Sequence, residues 1–572
     1  TPTINNATTV RRQVNPREYN TRNLTYSFGG EHGLGKLTMD WLYFRSVGNN
    51  WGNAGRFYDF RSLPLQTTLN GFYTDYLNVT ARNPEVDINN PFLIADVRSY
   101  TDQATIIRSS NTAAKVNFKL PFKIRDNDGL FKFGGKLRQI TNSRRLEIDR
   151  REFVPDGTVN EPSLFPSFVS NREDQQFFRN QVRFGPTLDN EKADAFIAAN
   201  PNLFQSNATA QQTNLNEATP AFYEAKENVY AFYAMSRLQI KRLMILGGLR
   251  YEGTNVSYVG NQYESDASGN VVGSTIRQAT GGRNFGFLLP NFHLKYSINN
   301  LTNVRAAFTR SFARANFVNL APRQDISINN QEIEIGNPIL NPATASNFDL
   351  MFERYQKNVG IFSGGIFYKR IRGFIFDRSF VEPRTVTITG PDGQPVTETL
   401  DFTIITPDNG EIADLVGGEI NVQTNLSFLP GILSGLGVYA NYTFTHSNAS
   451  TFERKNIRLP GQARHTANAA LSFDYKGFSS RASFNFNGGV IRSLGPGAFN
   501  GVSTNGDFDV FRNDRYQFDL SASYAFKKGI RIYCEFINLT NRPELEYFGR
   551  RNRPSNVEFY DWWNRFGVAY SF

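Results

Sequence analysis

The stretch Gln517-Phe518-Asp519-Leu520-Ser521-Ala522-Ser523-Tyr524-Ala525-Phe526 sets Phe518, Leu520, Ala522, Tyr524 and Phe526 on one parity. Gln517, Asp519, Ser521, Ser523 and Ala525 fall on the other. A period of two belongs to an extended strand with one face in an apolar medium and the other in a polar one. The pattern repeats outward from this point. Phe292, Leu294, Tyr296 and Ile298 alternate with Asn291, His293, Lys295 and Ser297, and Leu436, Val438, Ala440, Tyr442 and Phe444 alternate with Tyr439, Asn441, Thr443 and Thr445. The chain closes the same way, with Phe566, Val568, Tyr570 and Phe572 on one side.

Extending this reading predicts about seventeen strands: 21–31, 36–47, 103–123, 130–144, 221–240, 243–259, 284–297, 303–313, 344–356, 359–377, 411–428, 436–448, 464–475, 478–491, 512–526, 530–538 and 558–572. Short connections centre on His32–Gly35, Asp126–Gly129, Lys241-Arg242, Asn299-Asn300, Lys357-Asn358, Pro430–Gly435, Lys476-Gly477 and Lys527–Gly529. Between them lie long ones, near 48–102, 145–220, 260–283, 314–343, 378–410, 449–463, 492–511 and 539–557. A soluble sandwich has no reason to alternate short and long loops so strictly. A membrane-spanning meander does, because its turns sort to one side and its loops to the other. Leu188–Ala199 reads as a short helix ahead of Asn200-Pro201, and Pro391–Pro395 as the turn of a hairpin projecting from a long loop.

Composition agrees. Of 572 residues only 40% are hydrophobic, yet 51 are Phe and 25 Tyr, against 4 Met and 1 Cys. Mean hydropathy is −0.43, and no apolar run approaches the roughly 18 residues of a spanning helix. A helical membrane protein and a disulfide scaffold are therefore excluded, and such aromatic density argues against disorder. The expected fold is all-β: a transmembrane antiparallel up-and-down β-barrel, with a large soluble β protein such as a lectin or hydrolase as the rival. The net charge of +10 is spread along the chain, not gathered into the patch a nucleic-acid binder needs, so nucleic acid is not an expected partner. Thr1-Pro2-Thr3-Ile4-Asn5 carries no secretion signal, as a mature or trimmed start would not. Counting back from Phe572, the first strand near 21–31 runs from the long-loop side. That places residues 1–20 in a loop outside the cell and leads to the expectation that the chain is the C-terminal part of a longer polypeptide.

Several segments resemble the TonB-dependent outer-membrane receptors. Tyr230-Ala231-Phe232-Tyr233-Ala234-Met235 with Gly247-Gly248-Leu249-Arg250-Tyr251-Glu252 is similar to that family's paired strands with G-x-R-Y-E. Arg314-Ala315-Asn316-Phe317 with Leu320-Ala321-Pro322-Arg323 is similar to its R-x-x-F-x-x-L-x-P. Asn337-Pro338-Ile339-Leu340-Asn341-Pro342-Ala343-Thr344 resembles N-P-x-L-x-P-E, departing at Ala343. Gly418-Glu419, Leu426–Pro430, Asn441-Tyr442-Thr443 and Asn538-Leu539-Thr540-Asn541 follow in the family's order. The resemblance implies a barrel of the 22-stranded type, with short periplasmic turns, long extracellular loops and a bacterial outer-membrane location. It also implies an N-terminal plug, which this chain does not show, through which the TonB complex energises import of a scarce ligand such as a siderophore, glycan or peptide. Its other implied partners are the lipid bilayer with lipopolysaccharide and a surface lipoprotein. A passive porin or an adhesin or assembly scaffold is the alternative.

No sequence pattern marks a catalytic residue, metal site or cofactor. His32, His293, His446 and His465 are scattered and expected to face the lumen or a turn. Gly435-Leu436-Gly437-Val438-Tyr439-Ala440 matches a dinucleotide fingerprint in letters only, since it opens a strand where that motif opens a helix. Asp126-Asn127-Asp128-Gly129 reads as a tight turn. Asn255-Val256-Ser257, Asn425-Leu426-Ser427 and Asn441-Tyr442-Thr443 place two polar residues on one strand face and are expected to line a hydrated lumen. Tyr43, Phe44, Tyr251, Tyr258, Phe367, Tyr368, Trp562 and Trp563 lie near strand ends, as interfacial aromatics do. Phe566, Tyr570 and Phe572 correspond to the family's terminal assembly signal. Ligand contacts are expected in the long loops and upper lumen, at Trp51, Arg56, Tyr58, Arg314 and Arg323.

Overall fold

The computed structural model describes residues 7–8, 11–14, 17–63, 65–70, 78–94, 96–159, 164–170, 185–263, 270–327, 331–356, 360–389, 395–499, 502–504, 506–526 and 529–572. Seventeen long strands form one antiparallel meander, each paired with its neighbours in chain order. They are β1 (Glu18–Leu34), β2 (Leu37–Arg61), β3 (Asp96–Ile124), β4 (Asn127–Phe153), β5 (Tyr223–Ile240), β6 (Leu243–Gln262), β7 (Arg277–Asn299), β8 (Thr302–Ala313), β9 (Ala343–Gln356), β10 (Gly360–Arg372), β11 (Ile412–Asn425), β12 (Leu436–Ser450), β13 (His465–Tyr475), β14 (Phe478–Asn487), β15 (Arg515–Ala525), β16 (Ile530–Ile537) and β17 (Trp563–Tyr570). Among the described residues β1 pairs only with β2 along its length, and β17 only with β16.

Short turns and long loops alternate as expected. Lys241-Arg242 and Lys476-Gly477 are two-residue turns, with left-handed backbone at Lys241, Lys476 and Gly477. Three turns sit elsewhere than expected, one of them the β7–β8 turn at Asn300-Leu301 in place of Asn299-Asn300. β1 continues to Leu34, so Gly35-Lys36 makes its turn, and Arg125-Asp126 makes the next, leaving Asn127–Gly129 inside β4. Lys357-Asn358, Lys527 and the hairpin tip at 390–394 lie outside the described residues, although the flanking hairpin strands Ile375–Thr389 and Pro395–Asn409 pair throughout.

Reading sideways across paired strands locates the outer surface. Trp41, Val116, Gly135, Phe232, Tyr251 and Leu288 form one outward rung, and Tyr43, Ala114, Leu137, Tyr230 and Gly253 the next. One rung nearer the long loops stand Arg45, Thr112, Gln139, Asn228, Asn255 and Asn284. Apolar rungs continue around the wall through Phe348, Leu350, Ile366, Ile420, Phe444, Leu471, Leu520, Ile532, Phe566 and Val568, all exposed. No soluble protein exposes a continuous belt of this size; hydrocarbon covers it. The opposite face is polar. Asp40 accepts from Asn117 Nδ2 at 2.7 Å, Arg305 lies 2.9 Å from Glu353, and Asn485, Asn468 and Asn441 form a hydrogen-bonded row.

The wall is uneven in height. β3 has 29 residues and β17 has 8, whereas a bilayer needs 9–11 tilted ones. β2, β3, β4, β6 and β7 therefore rise well above the belt, beyond the ends expected for them. Conversely, the expected strands 359–377, 478–491 and 558–572 each break. Gly373 (φ 66°) turns the first aside, Gly488-Gly489 interrupts the second, and 559–562 leave the third before Trp563. In the 145–220 loop the expected helix is Asn190–Ala199, capped by the Asp189 carboxylate, which accepts from the Glu191 and Lys192 amides. A second helix, Ala208–Ala221, follows unheralded.

Parity across the wall corrects several expectations. Phe44, Tyr258 and Phe367 face inward, opposite Tyr43, Tyr251 and Tyr368. Trp563 shares the inward face of Arg565, 5.4 Å from its ring, while Trp562 precedes the strand. Asn255 and Ser257 share the outward face of Tyr251, whereas Asn441 and Thr443 do line the interior. Of the four histidines only His293 lies on the inner face. His32 lies on the outer face, where it accepts from Trp41 Nε1 at 3.0 Å. His446 and His465 share the outward register of Val416 and Phe444.

Candidate functional site: the loop-covered mouth

The long connections fold back over the wall on small apolar cores of their own. Tyr58, Phe60, Tyr100, Phe153, Phe165, Phe168, Ile197 and Phe204 pack together above β2–β4. Tyr223, Val256, Tyr258, Leu320, Ala321 and Leu340 seat the 314–342 connection on β5 and β6. Phe374, Phe376, Leu415, Ile491 and Leu494, joined by Ile457, Leu459 and Phe511, do the same over β11 and β12. Each cluster removes apolar loop surface from water at roughly 25 cal/mol per Å², which holds segments that a polar composition alone would leave loose.

Ion pairs lock these caps. Arg314, just beyond β8, reaches three groups on β5 and β6. Its Nε lies 3.1 Å from Glu227, and its Nη2 lies 2.7 Å from Glu252 and 2.8 Å from Thr254 Oγ1. The second oxygen of Glu252 takes Arg250 at 2.5 Å, and the Phe312 ring lies under the Arg314 guanidinium at 4.7 Å. Leu249 and Tyr251 face lipid while Arg250 and Glu252 face in, so alternate residues of the G-x-R-Y-E stretch serve two media. The Asn337–Pro342 stretch is likewise tied to the wall: Tyr258 donates to Pro338 O at 2.5 Å, and Arg283 to Leu340 O at 3.0 Å. Farther round, Arg454 makes a two-pronged pair with buried Asp509, at 2.6 and 2.9 Å.

The five residues expected at the ligand take distinct places. Arg56, on the raised end of β2, bridges Asp102 (3.0 Å) and Asp194 (2.8 Å), and the Asp102 bond, foremost among its partners, raises its pKa. Tyr58 is 2% exposed and donates to Asp194; burial first, then that bond, raises its phenol above the ordinary value. Arg323 pairs with Glu334 at 3.2 Å. Trp51 stands on the outward register of β2, half-exposed. Arg314 alone reaches the inner wall.

Arg458 and Arg464, at the mouth, have no such partner among the described residues. Arg458 lies between Ile457 and Leu459, which pack against the third core. Burial pushes its guanidinium pKa down, and nearby Arg464 adds to the effect. Nothing in the sequence marked them, because the carboxylates that pair other arginines are brought in by distant loops. No group of three or more potential metal ligands occurs among the described residues, and no helix there is long and apolar enough to cross a membrane.

A lipid-facing antiparallel meander with a polar interior and folded caps on one end defines the wall of a transmembrane β-barrel. The family described as TonB dependent receptor-like, beta-barrel, matches residues 2–539, and the chain belongs to that family. Similar solved structures include the ferric citrate transporter FecA in its unliganded form (TM-score 0.53, 10% identity, 96% of this chain and 61% of that one). The siderophore receptor PiuA from Acinetobacter baumannii is another (0.52, 10%, 95% and 63%), as is the ferric-catecholate import receptor Fiu from E. coli K12 in its closed form (0.51, 13%, 93% and 63%). At these identities the likeness is one of fold, and the chain spans about three-fifths of their length. No curated protein sequence matches it.

Proposed function

We propose that this chain forms the wall and external caps of a TonB-dependent importer in the bacterial outer membrane, carrying a scarce anionic ligand. The observation that carries this reading is the sorting of media by the wall. Hydrocarbon lies against one face and polar residues line the other, while several long connections fold into packed caps at one end, as a gated receptor needs and an open pore does not. Membership of the family supports energised uptake. Arg458, with exposed Arg464 close by, supports an anionic cargo, because a cation held partly out of water without a partner among the described residues gains most from a carboxylate or phenolate. Arg56, Tyr58, Arg314 and Arg323 would act by positioning the caps, with Trp51 on the outer rim.

Iron chelates are the first cargo to test, since three of the similar folds carry iron-chelate or siderophore receptors in their descriptions. Cells with and without the full-length protein are given radiolabelled iron as citrate, catecholate or hydroxamate chelates, with and without a protonophore. Accumulation that needs the protein and vanishes with the protonophore supports the reading. Protein-dependent entry unaffected by the protonophore would identify a passive pore instead. Arg458→Gln with Arg464→Gln is expected to raise the half-saturating concentration about tenfold.

A further inference from the structure

The end of the wall opposite the caps carries a feature that import does not require. Its five described two-residue turns, Gly35-Lys36, Arg125-Asp126, Lys241-Arg242, Asn300-Leu301 and Lys476-Gly477, hold five cations against one carboxylate. Arg354 adds a sixth cation on the outward register of Phe352, two residues nearer the short-turn end of β9. All six are exposed, and none forms an ion pair among the described residues. Turn chemistry does not select them. Arg125, Lys241 and Lys476 sit at φ 54°, 49° and 47°, in the left-handed region where Gly or Asn is the unstrained choice.

Chain position says what these cations meet. β1 ends at Leu34, β3 at Ile124 and β5 at Ile240, all on the outward register and exposed, and a cation follows each within two residues. Lys476 lies over the Tyr475 ring, 5.2 Å from its centroid, beside exposed Phe478. Stems of this kind run along apolar surface and deliver their charge to the level of lipid phosphates. At the same end the β11–β12 turn, 426–435, has no charged residue and exposes Phe428 (76%), Ile432 (55%) and Leu433 (47%). Bare apolar side chains in company with cations suit a bilayer surface, where the former enter the acyl boundary and the latter meet headgroups. An acidic protein would have to displace lipid from the same strand ends to reach them.

We propose that this basic rim binds the headgroups of acidic phospholipids in the leaflet on the short-turn side, with the 426–435 turn set among their acyl chains. The rim requires the wall to span a bilayer, and it holds whether or not the protein imports anything. The test uses the full-length protein with its native tryptophans changed to Phe and Phe428→Trp added, reconstituted in vesicles of phosphatidylethanolamine with a minority of phosphatidylglycerol. In parallel samples one lipid or the other is brominated on its acyl chains. Per mole of brominated lipid, phosphatidylglycerol is expected to quench at least about threefold more strongly, because anionic lipid gathers at basic residues. That preference should vanish in about 1 M salt, where the screening length falls to roughly 3 Å. It should vanish too when Lys36, Arg125, Lys241, Arg242, Arg354 and Lys476 are all changed to Gln, and persist in the control Arg45→Gln with Arg108→Gln. Unshifted heat-modifiable migration on gels shows that each variant is folded. Equal quenching by the two lipids, or a sextuple variant that keeps the preference, would overturn the assignment and leave the rim to an acidic protein. Quenching by neither lipid would overturn it from another side, by taking this end of the wall out of the bilayer.

Discussion

Arg314 shows how a single side chain joins a connection to the wall. Glu227 is almost fully buried and Glu252 largely so, at 6% and 13% side-chain exposure, and the arginine that compensates both comes from another part of the chain. Removing one partner of a buried pair leaves an uncompensated charge, at a cost of roughly 3–5 kcal/mol. Arg314→Ala is therefore expected to raise amide hydrogen exchange in the 314–342 connection by about a hundredfold or more, with β10–β17 unchanged. Adding Glu227→Gln should recover part of that protection, because the two changes share a partner and so are not additive. Unaltered exchange in the connection would remove Arg314 from its positioning role. Arg314 was legible in the sequence as part of a recurrent stretch; Glu227, the group it neutralises, was not, because a lone Glu in a polar run gives no sign of burial.

Strands carry their information in parity, and parity failed where both faces meet water. The expected ends of β2, β3 and β4 fall short because above the belt Arg45, Asn49, Arg108 and Ser143 replace the apolar set, and period-two contrast disappears while pairing continues. Register is enforced by shape as well as by polarity, on the belt at Tyr230 and on the inner face above it at Tyr258. Tyr230 lies across its cross-strand partner Gly253, where a β-carbon would sit 2.3 Å from the ring, and Tyr258 covers Gly281 in the same way. An aromatic ring over a glycine fills the gap the missing side chain leaves and pins the pairing. Gly253→Val is expected to displace the Tyr230 ring and lower stability by about 1–3 kcal/mol through overpacking, seen as a lower temperature for conversion of the folded gel band. Val at Gly33, where nothing lies within 4 Å, should leave that temperature unchanged.

At the scale of the molecule, belt and raised rim make a prediction about depth. Trp41 and Trp51 share the outward register of β2 ten residues apart, so they stand roughly 25 Å apart in height. In single-tryptophan variants reconstituted with lipids brominated on the acyl chain, Trp41 fluorescence should be strongly quenched and Trp51 fluorescence unaffected. Equal quenching would mean that the wall does not stand upright in the bilayer as its belt indicates. Seventeen strands, their antiparallel order and the alternation of turns and loops were determined by the sequence itself. A strand between lipid and water must write that boundary into every second residue, and a two-residue turn leaves little room for error. Where the long connections settle, which arginines end up neutralised, and which face Asn255, His446 or Phe44 takes were decided only by the tertiary structure. Those outcomes depend on which distant segments meet across the wall, and pairing between residues scores of positions apart leaves no local period to read.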